Sequence, residues 1–322
     1  MNFAILSAGY IAGVMADTVS RMREELVLYA VGARDKSRAQ AMAEKYGAQK
    51  SYGSYEELVS DANVDMVYVA SPHSHHYEHA KLCLNHGKHV LCEKAFTSNL
   101  AQARELVALA KEKNLFLGEA VWTRFMPFVS KVKELMDQRA IGDIHALQCG
   151  FGQELTHVER MTNPALAGGA LLDLGIYPLT FASLFFGTEV AEITGDAVLT
   201  DQGVDAGNSF ILKYRDGKIA SLLSCMTVWM PNTGILFGEK GYIIAHDFWN
   251  CQRLTVCVRG ENPYDIECPF EISGYEYEVR AAIKAIEEGR LCCDEMPWEE
   301  SLRLMEVMDG LRAKWGVKYP FE

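Results

Sequence analysis

Short apolar runs alternate with helical patterns through the first 120 residues of this 322-residue chain. Strands that alternate with helices of about ten to fifteen residues are typical of a parallel sheet with helices on both faces. In such a doubly wound sheet, ligands bind beyond the carboxyl ends of the strands. We therefore predict an N-terminal α/β domain with a Rossmann-type parallel sheet. The predicted strands cover 3–6, 26–32, 64–70, 89–93 and 116–119, and the predicted helices cover 11–24, 36–46, 75–86 and 101–113.

The pattern changes after about residue 121, where longer alternating runs follow one another without regular helices between them. Alternation of apolar and polar residues favours a large, mainly antiparallel open sheet, here in an α+β domain. We predict a dinucleotide-binding domain at 1–120 and a domain for substrate binding and oligomerisation at 121–322. The predicted strands are 144–151, 190–199, 208–214, 219–227, 234–237, 242–246 and 253–259, and the predicted helices are 126–139, 275–288 and 298–315.

The charge and the cysteine content argue against several classes of protein. A formal net charge of −12 disfavours general binding to nucleic acid or to an anionic membrane surface. The nine cysteines are odd in number and lack CxxC spacing, which is typical of reduced thiols. Asn2–Ser7 is a short apolar run without a basic region before it, so no signal peptide is predicted. We expect a cytoplasmic protein that binds neither nucleic acid nor membrane.

The eighteen-residue apolar run from Ala170 to Gly187 carries a single charge, Asp173, and a single phenol, Tyr177. On a helix, residues four positions apart lie on the same face, so both groups point in one direction. Burial of a carboxylate costs several kcal/mol unless it is paired, which favours a functional site. The alternative is a core helix in which Asp173 caps a neighbouring segment and Tyr177 packs as a large ring. Pro178 is expected to disturb the helix just past Tyr177.

The turn after the first strand is a variant of the dinucleotide-binding fingerprint G-x-G-x-x-G/A, with Ser7, Gly9 and Ala12 at the glycine positions. Gly9 allows close approach of a pyrophosphate, and the helix start at Tyr10 and Ile11 offers N–H groups and a positive dipole end. Serine tolerates the tight turn less well than glycine, so Ser7 weakens the motif. The alternative is an ordinary turn of any α/β protein.

The end of the second strand favours NADP over NAD. A carboxylate that binds the ribose of NAD is expected here, but Ala33 is followed by Arg34, and Arg38 lies one turn further on. Guanidinium groups pair well with a phosphate, whereas a carboxylate repels it. Asp35 is the opposing signal, although it stands one residue later, where it is expected to cap the helix that begins at Lys36.

Several motifs are similar to those of one oxidoreductase family. Glu93-Lys94-Ala95 resembles its E-K-P, the segment 71–76 (SPHSHH) resembles T-P-x-x-x-H, and the segment 167–177 (AGGALLDLGIY) resembles G-G-G-A-L-L-D-x-G-x-[HY]. On these residues the chain resembles the glucose–fructose oxidoreductase/inositol dehydrogenase/MocA superfamily along essentially its full length. Tyr177 and the segment 119–125 (EAVWTRF) are similar to the branch of dimeric dihydrodiol dehydrogenases and NADP-dependent D-xylose dehydrogenases.

The resemblance implies an NADP-dependent oxidoreductase that transfers hydride between nicotinamide and a CH–OH carbon of a vicinal diol, either a trans-dihydrodiol or an aldose such as D-xylose. It also implies a homodimer or a higher homo-oligomer formed through the C-terminal sheet. The departures are Ser7 and Ala95, which stand where the family has glycine and proline. Two alternatives use the same fold: a non-catalytic NAD(P)-binding sensor or regulator, and an NAD-dependent glycosidase that shows no net cofactor reduction.

The resemblance further implies that Lys94, Asp173 and Tyr177 surround the carbon that exchanges hydride. Oxidation of an alcohol needs a base within hydrogen-bond reach of the hydroxyl. The ordinary pKa of tyrosine is about 10, so work near pH 7 needs a drop of roughly 3 units, part of which a neighbouring lysine supplies. We assign the acid/base role to Tyr177, with Lys94 lowering its pKa and Asp173 holding Lys94. Lys94 as the proton acceptor is the alternative.

Further site residues follow from the strand ends and from the resemblance. Trp122, Phe151 and Trp249 are aromatic candidates for the substrate pocket. No metal is expected at the histidine cluster 75–79, because no carboxylate or cysteine in helical register completes a ligand set. The predicted cofactor-binding residues are Ser7, Gly9, Tyr10, Ile11, Arg34, Arg38, Ser71, Pro72, His73, His76, Glu93, Lys94, Trp122 and Arg124, and the predicted substrate-binding residues are Lys94, Trp122, Phe151, Asp173 and Tyr177.

Overall fold

The computed structural model describes residues 1–322, and the chain divides into two compact units that each combine two segments. The first unit contains Met1–Trp122 and Glu271–Met305, and the second contains Thr123–Phe270 and Glu306–Glu322. The assignment of cofactor binding to 1–120 and of substrate binding to 121–322 stays a prediction.

The first unit contains a six-stranded parallel sheet whose strands are connected by helices. Its elements are β1 (Asn2–Leu6), α1 (Tyr10–Ser20), β2 (Val27–Gly32), α2 (Lys36–Tyr46), β3 (Lys50–Tyr52), α3 (Tyr55–Ser60), β4 (Met66–Val69), α4 (His73–Asn85), β5 (His89–Glu93), α5 (Leu100–Lys113) and β6 (Leu117–Ala120). The strand order is β3-β2-β1-β4-β5-β6, so the predicted Rossmann sheet is confirmed. The order reverses between β1 and β4, and ligands of this fold bind at the carboxyl ends of the strands at that point.

Two elements of the first unit, β3 and α3, have only a weak signal in the sequence. β3 is three residues long, lies at the edge of the sheet and begins with the exposed Lys50, so it lacks the apolar run that predicts a strand. α3 has six residues and begins after Ser54, whose hydroxyl accepts the N–H of Glu57 at 3.1 Å. This local cap, rather than an apolar period, marks the start of the helix.

The second unit contains an eight-stranded sheet with helices before and between its strands. Its elements are α6 (Pro127–Asp137), β7 (Ile144–Gly152), α7 (Glu159–Thr162), α8 (Ile176–Phe186), β8 (Val190–Leu199), β9 (Asp205–Tyr214), β10 (Ile219–Cys225), β11 (Gly234–Gly238), β12 (Gly241–His246), β13 (Arg253–Val258) and β14 (Tyr264–Glu267). The order is β14-β13-β12-β11-β7-β10-β9-β8, and only β7 and β10 pair in parallel. The predicted large, mainly antiparallel sheet is therefore confirmed, and β14 is the strand that the prediction lacks.

The apolar run 170–187 is not one regular helix. Leu171–Gly175 form a π-helical turn, in which the N–H of Ile176 bonds to the carbonyl of Leu171, and α8 follows directly. The prediction places the disturbance of the helix after Tyr177, whereas the structure places it before. Pro178 lacks the N–H that would bond to residue 174, so the altered hydrogen bonding and the proline fall within neighbouring turns.

The π turn and α8 form the packed centre of the second unit, against β7 and β10. By length and composition alone, Pro164–Phe186 would pass as a membrane span. However, 89% of its most apolar 18-residue stretch is buried inside the protein, which is typical of a core helix. The run therefore supplies a buried, packed support for Asp173 and Tyr177.

Two helices complete the chain, α9 (Glu276–Glu287) and α10 (Trp298–Trp315). α9 belongs to the first unit, where the buried carboxylate of Glu276 accepts the N–H groups of residues 272–274 at 2.6–2.9 Å. The indole N–H of Trp298 donates to the carbonyl of Leu117 in β6 at 2.8 Å. These hydrogen bonds attach the returning segment of the chain to the first unit.

Candidate active site

The turn after β1 has features of a dinucleotide-binding turn although its first position is Ser7. Ser7 has a φ of 104°, a conformation that favours glycine, and its N–H donates to the carbonyl of Gly32 at 2.8 Å. α1 begins at Tyr10 without a side-chain cap from Gly9. A Cβ added at Gly9 would meet only the Ser7 Oγ, at 3.9 Å, so the space beside Gly9 is open. An uncapped helix N-terminus beside an open glycine fits the pyrophosphate of a dinucleotide.

Asp35, the opposing signal for NADP, caps α2 as predicted. Its carboxylate accepts the N–H of Ser37 at 2.8 Å and the hydroxyl of Ser37 at 2.6 Å, and these bonds lower the pKa of Asp35. Arg34 and Arg38 are exposed, and Arg38 donates to the carbonyl of Ala8 at 2.7 Å. Two guanidinium groups therefore lie at the end of β2, one of them bonded to the turn after β1.

We call Arg34 and Arg38 at the end of β2 the basic edge. Tyr55, at the start of α3, lies beside this edge and is absent from the predicted site. Its phenol interacts with the hydroxyl of Ser7 and with the guanidinium of Arg34, while burial raises its pKa. A cavity of about 670 Å³ opens beside the same turn and runs between α1 and α2, with Gly9 and the largely exposed Tyr10 in its lining. Its volume is in the range of small-molecule sites.

Ser71 and the histidines that follow it hold the end of β4. His76 is buried, and its ring nitrogens lie 2.7 Å from the carbonyl of Ser71 and 2.8 Å from the carbonyl of Ala95. Burial lowers the pKa of His76 to about 4, so at pH 7 the neutral ring has one N–H to donate to these two carbonyls. His79 lies 2.9 Å from the hydroxyl of Ser71, and His73 is buried. The predicted cofactor contacts of Ser71, His73 and His76 stay predictions.

Lys94 directly follows β5, and the Lys94–Ala95 peptide bond is cis. The N–H of Lys94 donates to the carboxylate of Glu93 at 3.1 Å, and the phenol of Tyr68 donates to the other oxygen of Glu93. Glu278 of α9 is fully buried, and this burial, with the charge of Glu93, raises the pKa of Glu278 well above its usual range. Glu93 is therefore fixed inside the first unit, and the half-buried Lys94 is presented at the end of the strand.

Asp173 lies in the π turn and Tyr177 is the second residue of α8, and both side chains are buried. The guanidinium of Arg160 in α7 donates to the carboxylate of Asp173 at 2.8 Å. An ion pair with hydrogen bonding allows a carboxylate to remain charged inside a protein. The buried carboxylate thus has a charged partner that no sequence pattern around Arg160 indicates.

Tyr177 belongs to a group of packed rings that we call the aromatic wall, formed by Phe151, Tyr177, Phe248 and Trp249. Phe151 stacks on Trp249 with ring centroids 5.3 Å apart, and Tyr177 meets Phe151 edge-on at 5.4 Å. The rings of Tyr177 and Trp249 are 6.3 Å apart. The structure therefore brings together Phe151, Tyr177 and Trp249, which the sequence predicts for substrate binding or for the pocket.

Trp122 and Arg124 occupy a 3₁₀ turn after β6. The indole of Trp122 stacks on Tyr275, with centroids 4.1 Å apart and planes 13° apart. Arg124 is buried and donates to the hydroxyl of Ser183 in α8 at 3.0 Å, so it contributes to the packing of that helix. The predicted roles of Trp122 and Arg124 at cofactor and substrate stay predictions.

Two family models match the chain. Residues 1–120 match the NAD-binding Rossmann fold of the oxidoreductase family GFO/IDH/MocA, and residues 129–244 match the GFO/IDH/MocA C-terminal domain. The chain belongs to the Gfo/Idh/MocA family of oxidoreductases. The resemblance that the motifs indicate is confirmed, and this Gfo/Idh/MocA enzyme is an NAD(P)-dependent oxidoreductase that acts on a small molecule.

Several relatives match this Gfo/Idh/MocA enzyme over its full length. The trans-1,2-dihydrobenzene-1,2-diol dehydrogenase of Mus musculus is 36% identical over 332 residues, which cover 99% of this chain and 98% of the relative. The enzyme of the same name from Homo sapiens is 35% identical over 330 residues, with the same coverage. A 3-ketoreductase from Actinomadura kijaniata, solved in complex with NADP and TDP-benzene, has a TM-score of 0.86 at 27% identity and covers 97% of each chain.

Proposed function

We propose that this Gfo/Idh/MocA enzyme transfers hydride between NADP and a CH–OH carbon of a vicinal diol, either a trans-dihydrodiol or an aldose such as D-xylose. The observation that carries the proposal is Tyr177, a buried phenol on the aromatic wall and four residues from Asp173. A phenol is an acid/base group, and aromatic faces suit either the apolar side of a sugar or an unsaturated ring. The full-length likeness to dihydrodiol dehydrogenases supports the substrate class.

The basic edge at the end of β2 supports NADP over NAD. Arg34 and Arg38 offer guanidinium groups to a phosphate, and Asp35, which would repel a phosphate, is engaged in the cap of α2. The N-terminus of α1 beside Gly9 would hold the pyrophosphate. When bound, the nicotinamide supplies the hydride acceptor or donor. The remaining cofactor contacts that we propose are Ser7, Tyr10, Ile11, Ser71, Pro72, His73, His76, Glu93, Lys94, Trp122 and Arg124.

Tyr177 moves the proton in this proposal. It takes the hydroxyl proton of the substrate during oxidation and returns a proton during reduction. For this role near pH 7 the pKa of a tyrosine must fall by roughly 3 units from about 10, which corresponds to about 4 kcal/mol. Lys94 would lower the pKa through its positive charge and orient the substrate oxygen. Asp173, paired with Arg160, would hold Lys94 and polar groups of the substrate, while Trp122 and Phe151 bind its apolar face.

A homodimer or a higher homo-oligomer formed through the eight-stranded sheet is also part of the proposal. Val198, Ile211, Ile219 and Leu223 are exposed on the neighbouring strands β8, β9 and β10, and Val198 is 71% exposed. An exposed apolar surface of this kind is typical of protein interfaces, and a second copy of the chain is the proposed partner. Replacement of Val198 and Leu223 by aspartate should yield a monomer in analytical ultracentrifugation, whereas an unchanged mass would exclude this interface.

The cellular location that we propose is the cytoplasm. All nine cysteines are free thiols, which suits a reducing compartment. The net charge of −12 favours a small-molecule substrate over a polyanionic partner such as nucleic acid.

Steady-state reduction of NADP⁺ and of NAD⁺, followed at 340 nm with trans-dihydrodiols, pentoses and hexoses, tests the proposal. We expect turnover with at least one vicinal diol and a higher kcat/KM with NADP⁺ than with NAD⁺. Tight binding of NADP⁺ without turnover on any diol would instead identify a sensor or regulator. Release of a sugar from a glycoside without net cofactor reduction would identify a glycosidase.

A further inference from the structure

Asp205, the first residue of β9, is a fully buried carboxylate that the proposed chemistry does not use. Its Oδ2 accepts the backbone N–H of Leu171 at 2.7 Å and the side-chain amide N–H of Asn208 at 2.7 Å. Leu171 is the first residue of the π turn that carries Asp173 and leads into Tyr177. The carboxylate of Asp205 therefore holds the start of the segment that presents both residues.

The segment before the π turn is held by other parts of the second unit as well. Asn208 accepts the hydroxyl of Ser224 at 3.0 Å, and the same hydroxyl lies 3.4 Å from the carbonyl of Ala170. The phenol of Tyr319 donates to the carbonyl of Gly168 at 2.9 Å. Side chains from β9, β10 and the C-terminal segment thus fix the backbone of 168–171.

Gly169 shows how closely Asp205 is seated against this backbone. Gly169 has a φ of 120°, which L side chains rarely adopt, and a Cβ added there would collide with the carboxylate of Asp205. A glycine in this position lets the chain turn over the carboxylate into the π turn. The contact leaves no room for a larger group between Asp205 and the segment that it holds.

We propose that Asp205 is a positioning residue for the oxidoreduction proposed above, because its carboxylate sets the π turn that places Asp173 and Tyr177. This inference rests on the proposed function for its effect on rate, but not for its effect on the segment. Asp205 is not a catalytic residue in this proposal, since its hydrogen bonds go to Leu171 and Asn208 and it acts through the backbone.

The charge of Asp205 gives the proposal a pH signature. Burial raises the pKa of Asp205 to about 6, against the hydrogen bonds of Asn208 and Leu171 and the positive charge of Arg312 in α10, which lower it. The phenol of Tyr319 also faces Asp205. The carboxylate is therefore ionised at pH 7 and protonated near pH 5. Protonation removes the negative charge that strengthens both hydrogen bonds, so the hold on the π turn weakens on acidification.

Asp205→Asn keeps the shape of the side chain and removes the charge. Asn208→Ala removes one of the two N–H groups that donate to the carboxylate of Asp205. Asp201→Asn, in the exposed turn before β9, is the matched control. For Asp205→Asn we expect kcat at pH 7 to fall by roughly 10- to 100-fold, as for loss of a charge-assisted hydrogen bond, with the Kd of NADP⁺ unchanged. Asn208→Ala should give a smaller loss, and Asp201→Asn none. In the wild type, kcat should fall below pH 6 as Asp205 becomes protonated, and this fall should be absent in Asp205→Asn.

Amide hydrogen exchange of the peptide 168–177 provides a readout that does not need activity. At pH 7 the exchange should be faster in Asp205→Asn than in the wild type, and it should be unchanged in Asp201→Asn. After correction for the intrinsic rates, acidification to pH 5 should accelerate the exchange in the wild type and in Asp201→Asn, but not in Asp205→Asn. Exchange and kcat at wild-type values in Asp205→Asn would overturn the inference. Faster exchange in a protein without turnover on any diol would overturn the proposed function and leave the positioning role supported.

Discussion

The guanidinium of Arg160 lies 2.8 Å from the carboxylate of Asp173, measured from Nη1 to Oδ1. Arg160 is partly exposed, whereas the side chain of Asp173 is 6% exposed, so the pair joins a surface helix to a carboxylate inside the second unit. A buried carboxylate needs such a partner to remain charged. The pair therefore gives the buried carboxylate of Asp173 a charged partner and fixes its orientation.

Replacement of Arg160 by methionine should weaken both the fold and the activity. Loss of a hydrogen-bonded charge partner from a buried group costs roughly 1–3 kcal/mol, so the free energy of unfolding in urea should fall by that amount. The kcat should fall as well, because Asp173 loses one of the groups that orient it. Arg160→Lys keeps the charge but not the planar fork, and an intermediate result is expected. Wild-type stability and kcat in Arg160→Met would show that the pair is unimportant.

Ser7 allows a test of the glycine-like turn after β1. Ser7→Gly and Ser7→Ala both remove the hydroxyl, but only glycine adopts the observed φ of 104° without steric cost. Ser7→Gly should therefore be more stable than Ser7→Ala by roughly 1–3 kcal/mol in thermal or urea unfolding. Equal stability of the two variants would mean that the turn carries no backbone strain at this position.

Arg34→Ala should change the choice of cofactor. If Arg34 pairs with the 2′-phosphate, its removal should raise the Kd of NADP⁺ by roughly 10- to 100-fold and leave the Kd of NAD⁺ almost unchanged. Fluorescence titration of the purified protein measures both constants. Arg21→Ala is a suitable control, since Arg21 forms an exposed ion pair with Asp17 on α1. Equal weakening of NADP⁺ and NAD⁺ in Arg34→Ala would argue against a phosphate contact.

Glu278 should make the stability of the protein depend on pH. Its pKa is raised well above the ordinary value of 4.5 by burial and by the charge of Glu93, so the folded protein holds this proton more tightly than the unfolded chain. The stability that the group contributes is present below the unfolded pKa and is lost as the pH rises through the folded pKa. Glu278→Gln cannot ionise and should flatten the decline of the urea midpoint between pH 5 and pH 9. The exposed Glu267→Gln serves as the control, and parallel curves for wild type and Glu278→Gln would refute the assignment.

Elements with strong local signals are predictable from this sequence. α2 begins after Asp35, which caps it, and ends at Gly47 in a left-handed conformation, and both residues are standard boundary signals. The central strands of the first sheet are buried on both faces and stand out as continuous apolar runs, as in β4 (Met66–Val69). The motifs around Lys94 and Tyr177 indicate the family for the same reason, since each is a short continuous segment.

Features that depend on contacts between distant residues are not predictable in this way. Leu171 bonds to Asp205 across 34 positions, and Arg160 pairs with Asp173 across 13 positions, and no local pattern links either pair. The π turn within 170–187 cannot be predicted either, because an apolar sequence is compatible with both α-helical and π-helical backbone hydrogen bonding. The amphipathic pattern of α9 predicts a helix but not its place in the first unit.

Proton transfer by Tyr177 is tested most directly by the rate at which Tyr177→Phe reduces NADP⁺. The rate is measured from pH 6 to pH 10 with the best diol found for the wild type. General acid–base catalysis contributes roughly 10²- to 10⁴-fold, so kcat/KM should fall by that factor while the Kd of NADP⁺ stays at the wild-type value. The pH dependence that belongs to the phenol should disappear at the same time. Survival of both the activity and its pH profile in Tyr177→Phe would contradict the assignment of proton transfer to Tyr177.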